Sequence, residues 1–314
     1  MGGAGPGKID LNVRVSTLDD LLISVYSRLI KKGRVVIPSK GKTRELTGAS
    51  LELSNPRARM SRSEERHLLF SCLGEFLWYL SGGNSLDFIR YYIKNYTADG
   101  EGITTVRAAY GPRLRGGKDQ LLWIIELLRQ KPDSRRAVIP IFSESDTFTD
   151  LPEVPCTCTL QFLIRKDRLE MITHMRSNDV YLGLPGDVFA FTMIQELVAR
   201  SLNIEVGTYK HLVGSLHLYE KNRNAAERFL DEGWQRKQSM PPMPLGDQFQ
   251  NLEHLLQAEE SLRTGKDATT PECLPDYWQD LIQLLRIFRA HKQNASSEVI
   301  NALSAKMHSD SYQT

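Results

Sequence analysis

Apolar positions along the chain recur with two different periods. Leu18, Leu21, Leu22, Val25, Tyr26, Leu29 and Ile30 fall on one face of a helix, with Ser16 or Thr17 to cap its start and Gly33 to stop it. "RVVIP" reads as a short strand, and "LTGASLELSNPRARM" alternates as a strand closed by Asn55-Pro56. A second helix is predicted over "RSEERHLLFSCLGEFLWYLSGG", its apolar interior interrupted by the carboxylate of Glu75. A third runs through "DQLLWIIELLRQKPDSRR" and ends at Pro132. "AVIPIFS", "TCTLQFLIRKD" and "RLEMITHMRS" read as successive strands, and "DVFAFTMIQELVARSLN" as a long buried helix. "VGTYKHLVGSLHLYEKN" begins as a strand, and beyond about residue 223 the chain turns more polar, with helical pieces such as "LPDYWQDLIQLLRIFRAHK". Strands and helices mix without a regular βαβ alternation. The pattern therefore predicts an α+β fold, a mixed sheet packed with helices. The expected organisation is a flexible leader over 1–14, a main domain over 15–222 and a helical extension over 223–314 packed on it.

Composition narrows the functional classes. The 314 residues carry 40 Lys and Arg against 38 Asp and Glu, a net charge of +2. That balance gives no global argument for nucleic acid or an acidic membrane surface. No apolar run is long enough for a membrane span, and "MGGAGPGKIDLN" lacks the basic-then-apolar pattern of a signal peptide. A reduced, cytoplasmic setting is expected.

The four cysteines are Cys72, Cys156, Cys158 and Cys273. Their spacing is no secreted disulfide framework, and CxC is a poor zinc signature, so no metal site is expected. "EVPCTCTLQF" puts Cys156 directly after Pro155, at a predicted strand entrance. A buried strand cysteine is ordinarily a small hydrophobe. Here arginine-bearing segments, "DSRR" and "MRSND", flank it, and a cation near a thiol favours the thiolate, the form that attacks electrophiles.

Several segments then fit together. Pro155-Cys156, Gln161-Phe162, Arg176-Ser177-x-Asp179, Leu182-Gly183-x-Pro185 and His217-x-Tyr219, in that order, resemble the core of the thymidylate synthase family. "GEFLWYLSG", "AYGPRLR" and "PDSRR" resemble that family's Glu-Leu-Leu-Trp helix, its Tyr-Gly-x-x-Trp-Arg loop and its paired arginines, so the likeness spans roughly residues 40–222.

The resemblance implies a thymidylate-synthase-like fold, a homodimer joined sheet to sheet, and C5 alkylation of a pyrimidine nucleotide with 5,10-methylenetetrahydrofolate. C5 is a poor nucleophile until a thiolate adds at C6, which divides one hard step into easier ones. Cys156 is then the nucleophile and Cys158 a packing neighbour on the same strand face. Glu75 matches a proton-relay glutamate, a role that suits a carboxyl raised by apolar surroundings. Tyr110 matches the active-site wall. Arg176 and Ser177 are expected at the nucleotide phosphate, Arg135 and Arg136 at the partner subunit's phosphate, and Arg44 in a mobile phosphate loop. A dianion suits bidentate, permanently charged donors. Gln161 is expected at the nucleotide, His217 and Tyr219 at the sugar hydroxyl, and Trp78, Asp179 and Gly183 at the folate. Read without the resemblance, the arginine pair is a solvated helix end and a lone histidine is structural.

Asp187 departs from the pattern. Thymidylate-making members carry asparagine there, in Pro-Phe-Asn, where this chain reads Pro185-Gly186-Asp187. An amide suits uracil's N3–H and O4. A carboxyl can accept from the cytosine amino group and, when protonated, donate to N3. Deoxycytidylate hydroxymethylases of phages and cytidylate hydroxymethylases of antibiotic pathways carry aspartate, so the resemblance points to a CMP or dCMP hydroxymethyltransferase. The plain alternative is a helix N-cap aspartate. Gly186 suggests an enlarged pocket. Thr157 replaces the family's histidine, and "HSDSYQT" lacks the apolar tail that closes over folate, an expectation that suits an intermediate open to water. Ser215 stands where an aspartate is usual. The competing functions are methyl transfer to dUMP, a silent nucleotide-binding homologue, a papain-like hydrolase, whose nucleophile would open a helix, and a phosphate-binding RNA protein, which the net charge does not support.

Overall fold

The computed structural model describes residues 11–66, 68–96, 102–148 and 153–312. The chain opens with β1 (Asn12–Val15) and α1 (Leu18–Lys32), followed by β2 (Arg34–Val36) and β3 (Thr43–Leu53). Then come α2 (Leu69–Leu80), α3 (Leu86–Tyr92), α4 (Gly111–Arg115), α5 (Gln120–Gln130) and β4 (Val138–Pro140). β5 (Thr157–Arg165), β6 (Arg168–Asp179), α6 (Leu184–Ser201) and β7 (Glu205–Tyr219) form the centre. The chain closes through α7 (Arg223–Asp231), α8 (Phe249–Arg263), α9 (Asp276–Lys292) and α10 (Ser297–Ser304).

The strands form one seven-stranded mixed sheet in the order β1-β3-β7-β6-β5-β4, with β2 also on β3. β6 and β7 run parallel, joined by α6 as a crossover, and β3 and β7 pair antiparallel. α6 is buried along its whole length, so its apolar residues face neighbours all round. Its charged Glu196 is matched by Arg57 at 2.6 Å and by Arg59, and Arg200 by Glu205 at 2.6 Å. Unpaired charges in this setting would be costly. α1 and α6 cover one face of the sheet, while α9 leans on α2 and α7 on α1.

Most predicted elements form, including the Thr17 cap, whose hydroxyl accepts from the Asp20 N–H at 3.1 Å. Several boundaries differ for physical reasons. Residues 12–14, expected in a flexible leader, lie in β1, where Val13 is buried and the strand pairs parallel with Ser50–Leu53 of β3. The second helix starts late, because the Glu232 carboxylate accepts from the N–H groups of Glu64 and Glu65 and holds them in a separate single turn. β4 stops at Pro140, which has no N–H to donate, and the next two amides both turn to the Cys158 carbonyl, at 2.9 and 3.2 Å. That convergence sits at the register shift between Thr157 and Thr159, beside Cys156. Among the described residues no helix is long and apolar enough to cross a membrane, and no group of three or more His, Cys, Asp and Glu could hold a metal ion.

Candidate active site

Cys156 sits at a bend immediately before β5. Arg176 of β6 wraps this bend. Its backbone N–H donates to the Cys156 carbonyl at 2.9 Å, its Nε to Pro155 O at 2.9 Å, and its Nη2 to Val154 O at 3.0 Å. Nη2 also lies 3.8 Å from the Cys156 sulfur. The arginine thus positions the thiol and adds a positive charge beside it. The expectation of a thiolate needs correction. Burial pushes the thiol up, and although Arg176 and Lys40 pull it down, Asp187 and Glu153 push it up again. Desolvation of the charged form outweighs the guanidinium.

Two carboxyl groups meet behind Cys156. Glu75 projects from α2, and burial pushes it up to about 6 despite a hydrogen bond from the Tyr79 hydroxyl to Oε1 at 2.8 Å. Asp187 lies in the first turn of α6, whose N-cap is Gly183, so the N-cap reading of Asp187 fails. The residue is 7% exposed. Burial first and the Glu75 charge second drive it well above the carboxylate range, opposed by a hydrogen bond from Asn178 Nδ2 to Oδ2 at 2.7 Å. Burial and the neighbouring carboxylate therefore favour the protonated form of Asp187. Gly186 makes this pairing possible. A Cβ there would fall 2.5 Å from Glu75 Oε2, so the glycine makes room for a carboxylate rather than enlarging the pocket.

Tyrosines close the site. Tyr110, at the start of α4, accepts from the Thr157 N–H at 3.2 Å and from its hydroxyl at 3.0 Å, which leaves its own O–H to donate elsewhere. Its ring packs 4.8 Å from Tyr79. Tyr96 shares the field of Glu75, Glu153, Asp187 and Cys156. Sequence reading missed Tyr79, Tyr96, Lys40 and Asn178. Tyr79 was the most legible, four residues from Glu75 on one helix face.

Of the remaining predicted residues, Tyr219 feels both Cys156 and Lys40 and packs edge-on against His217 at 5.2 Å. Ser177 follows Arg176 and pairs with Ser215. The Ser215 hydroxyl donates to Glu45, so a neighbouring strand returns a carboxylate where Ser215 replaces one. Cys158 is half-buried in β5, with its carbonyl in the bulge. Gly183 and Asp179 form the turn into α6, where Asp179 Oδ1 accepts from the Tyr181 N–H at 2.9 Å. Trp78 is 1% exposed, so its ring is no open wall. It lies edge-on under Tyr96 at 5.5 Å, and its indole N–H finds no partner among the described residues.

Four predicted contacts are not assembled within one chain. Arg44 is no mobile loop residue. It lies in β3, ion-paired with Glu220 at 3.0 Å and donating to Ile30 O at 3.3 Å. Gln161 stands about 16 Å along β5 from Cys156 by strand rise, and its amide donates to Arg135 O at 3.2 Å. Arg135 and Arg136 share that distant end, exposed and without an ion pair among the described residues.

The carboxyl pair has a measurable signature. A carboxyl whose folded-state pKa is raised binds its proton more tightly when folded, so stability is full below its ordinary range and is lost as pH rises through the folded value. For Glu75 the window runs from about 4.5 to about 6 and amounts to about 2 kcal/mol. Glu75→Gln is expected to melt above the wild type at about pH 7.5, the gap closing near pH 4.5. Thermal melts across that range check this, and a gap independent of pH would contradict it.

Residues 39–261 match the thymidylate synthase family. The chain is also 30% identical over 215 residues to a deoxyuridylate hydroxymethyltransferase of Bacillus phage SP01, an alignment covering 63% of this chain and 56% of that relative's length. The family match extends past the segment that carries the quoted motifs and takes in α7 and most of α8. With a cysteine at a strand entrance, an arginine wrapped around it and a glutamate facing the start of the central helix, the chain belongs to the thymidylate synthase family.

Proposed function

We propose that the protein transfers a hydroxymethyl group to C5 of a cytidine monophosphate, CMP or dCMP. The observation that carries the base assignment is the buried Asp187, whose Oδ2 accepts from Asn178 at 2.7 Å and whose protonated form burial favours. A protonated carboxyl offers one acceptor and one donor side by side, which matches the cytosine amino group and N3. The phage relative's name favours a second reading, the same transfer to deoxyuridylate. That reading shares the hydroxymethyl outcome and differs only in the base.

The residues divide the work as follows. Cys156 adds through sulfur to C6, and its proton has to leave first, because burial holds the thiol neutral. Arg176 stabilises the sulfur anion as it forms. Glu75, poised near neutrality, accepts the proton lost from C5 and returns one to the ring. Lys40, Ser177 and Arg176 line the phosphate side, with His217 and Tyr219 at the sugar.

5,10-Methylenetetrahydrofolate fits as co-substrate and supplies a one-carbon unit at the formaldehyde level. Water supplies the hydroxyl oxygen, so the overall transfer is redox-neutral. The turn from Asp179 to Gly183, with Leu182 60% exposed, offers the folate an apolar surface, and the unpaired Trp78 N–H lies beneath Tyr96. The chain's second copy belongs to the proposal too. The sheet face opposite α1 and α6 carries half-buried Ile172 and Leu212, and an antiparallel copy there would bring the free Arg135 and Arg136 to the other subunit's phosphate.

The test is tritium release from [5-³H]CMP, [5-³H]dCMP and [5-³H]dUMP with methylenetetrahydrofolate. Release is expected to be faster from a cytidylate than from dUMP. Release from dUMP alone would move the base assignment to deoxyuridylate, with the mass of the product separating hydroxymethyl from methyl transfer, and release from none would remove both.

A further inference from the structure

Asp187 is the end of a chain of buried side chains that no step above uses. The Tyr209 hydroxyl lies 2.7 Å from His211 Nδ1, His211 Nε2 lies 3.0 Å from Asn178 Oδ1, and Asn178 Nδ2 donates to Asp187 Oδ2 at 2.7 Å. His211 is 0% exposed, Tyr209 1% and Asn178 4%. These bonds, with Thr173 beside the Tyr209 hydroxyl, hold their polar tips, so the directions of the bonds are linked. The Asn178 amide gives its N–H to Asp187 and therefore turns its oxygen to His211. His211 must then carry its hydrogen on Nε2, which leaves Nδ1 to accept from Tyr209. Every bond donates toward Asp187.

This direction matters because a neutral carboxyl is ambiguous. With its proton free to sit on either oxygen, it matches the cytosine edge in one form and the uracil edge, N3–H and O4, in the other. An asparagine amide exchanges its two edges only by rotating as a whole, whereas an acid does so by moving one proton, and this chain has an acid there.

We propose that Tyr209, His211 and Asn178 are positioning residues that lock Oδ2 of Asp187 as an acceptor, confine its proton to Oδ1, and so make the site discriminate between the cytosine and uracil edges. The proposal rests on the reading that Asp187 faces the base. The groups around Asp187 are compatible with a single fixed proton. Glu75 and Tyr79 face it from α2, Tyr110 from the start of α4, Tyr96 from the loop after α3, and Cys156 from the bend before β5. No cation among the groups acting on Asp187 competes for its lone pairs. His211 contributes no charge, since burial pushes it down to about 3 and keeps it neutral. The inner link is also built into the sheet. Tyr209 and His211 occupy alternate, inward-facing positions of β7, next to β6, which carries Asn178.

The experiment compares dissociation constants for cytidylate and uridylate of the same sugar, by titration calorimetry, alongside tritium release from each. The proteins are wild type, Asn178→Ala, His211→Phe and His211→Gln. Glutamine keeps the direction of the chain, with an amide N–H toward Asn178 and an oxygen toward Tyr209. Phenylalanine removes the donor and frees the Asn178 amide to turn over. The ratio of the two affinities is expected to move toward parity by about tenfold or more in Asn178→Ala and His211→Phe, and to stay near the wild-type ratio in His211→Gln. A purely structural role would weaken both nucleotides together and leave the ratio unchanged, and that result would overturn the proposal. A wild type that favours uridylate would overturn the cytidylate assignment alone. The relay would still stand if His211→Phe erased that preference, and fall if it did not.

Discussion

Cys156→Ala is expected to lower tritium release by about 10⁴-fold or more while leaving the fold intact. The size of the effect follows from the chemistry. Without a thiol there is no covalent bond to C6 and no activation of C5, and removal of a nucleophile of this kind ordinarily costs several orders of magnitude. The intactness of the fold follows from the geometry. Cys156 stands at a half-buried bend, and three of the four Arg176 contacts that hold the bend are to the carbonyls of Val154, Pro155 and Cys156 itself, which alanine preserves. A melting temperature close to wild type with nucleotide binding retained would accompany the lost turnover. Residual release within about tenfold of wild type would remove Cys156 from the nucleophile's role.

The second large effect is one of specificity. Asp187→Asn replaces a buried carboxyl with an amide of nearly the same shape, so it tests the base-reading role with little change in packing. The amide suits uracil once its oxygen faces N3–H and its N–H₂ faces O4, an orientation that gives up the hydrogen bond from Asn178. The ratio of kcat/KM for cytidylate over uridylate is therefore expected to fall by about tenfold in Asp187→Asn and further, by about 10²-fold or more, when Asn178→Ala releases the amide. An unchanged ratio would mean that Asp187 serves the carboxyl pair and not the base.

The parts of this account that could be read from the sequence are those written in local patterns. α1 and α6 were visible in spacing and apolar length, and the Thr17 cap in one residue. Family motifs gave Cys156, Arg176, Glu75 and Asp187 before any geometry. Non-local relations were not visible. β1 is four residues long and exists because β3, far along the chain, offers it a parallel edge. Tyr96 reaches the site from a polar loop without periodicity. Tyr209 and His211 show as polar-tipped residues two apart, but which strand face is buried emerges only when β7 is paired on both sides. Cationic neighbours suggested an easily ionised thiol, and burial reversed the sign. Gly186 looked like a vacancy until the Glu75 carboxylate was found facing it.

The most direct test of the central claim is the mass of the nucleotide product formed by the wild-type protein from CMP and dCMP with methylenetetrahydrofolate. Hydroxymethyl transfer predicts a product heavier by one CH₂O and free of any requirement for reductant. A product heavier by CH₂ alone, or modification of dUMP in place of either cytidylate, would contradict it.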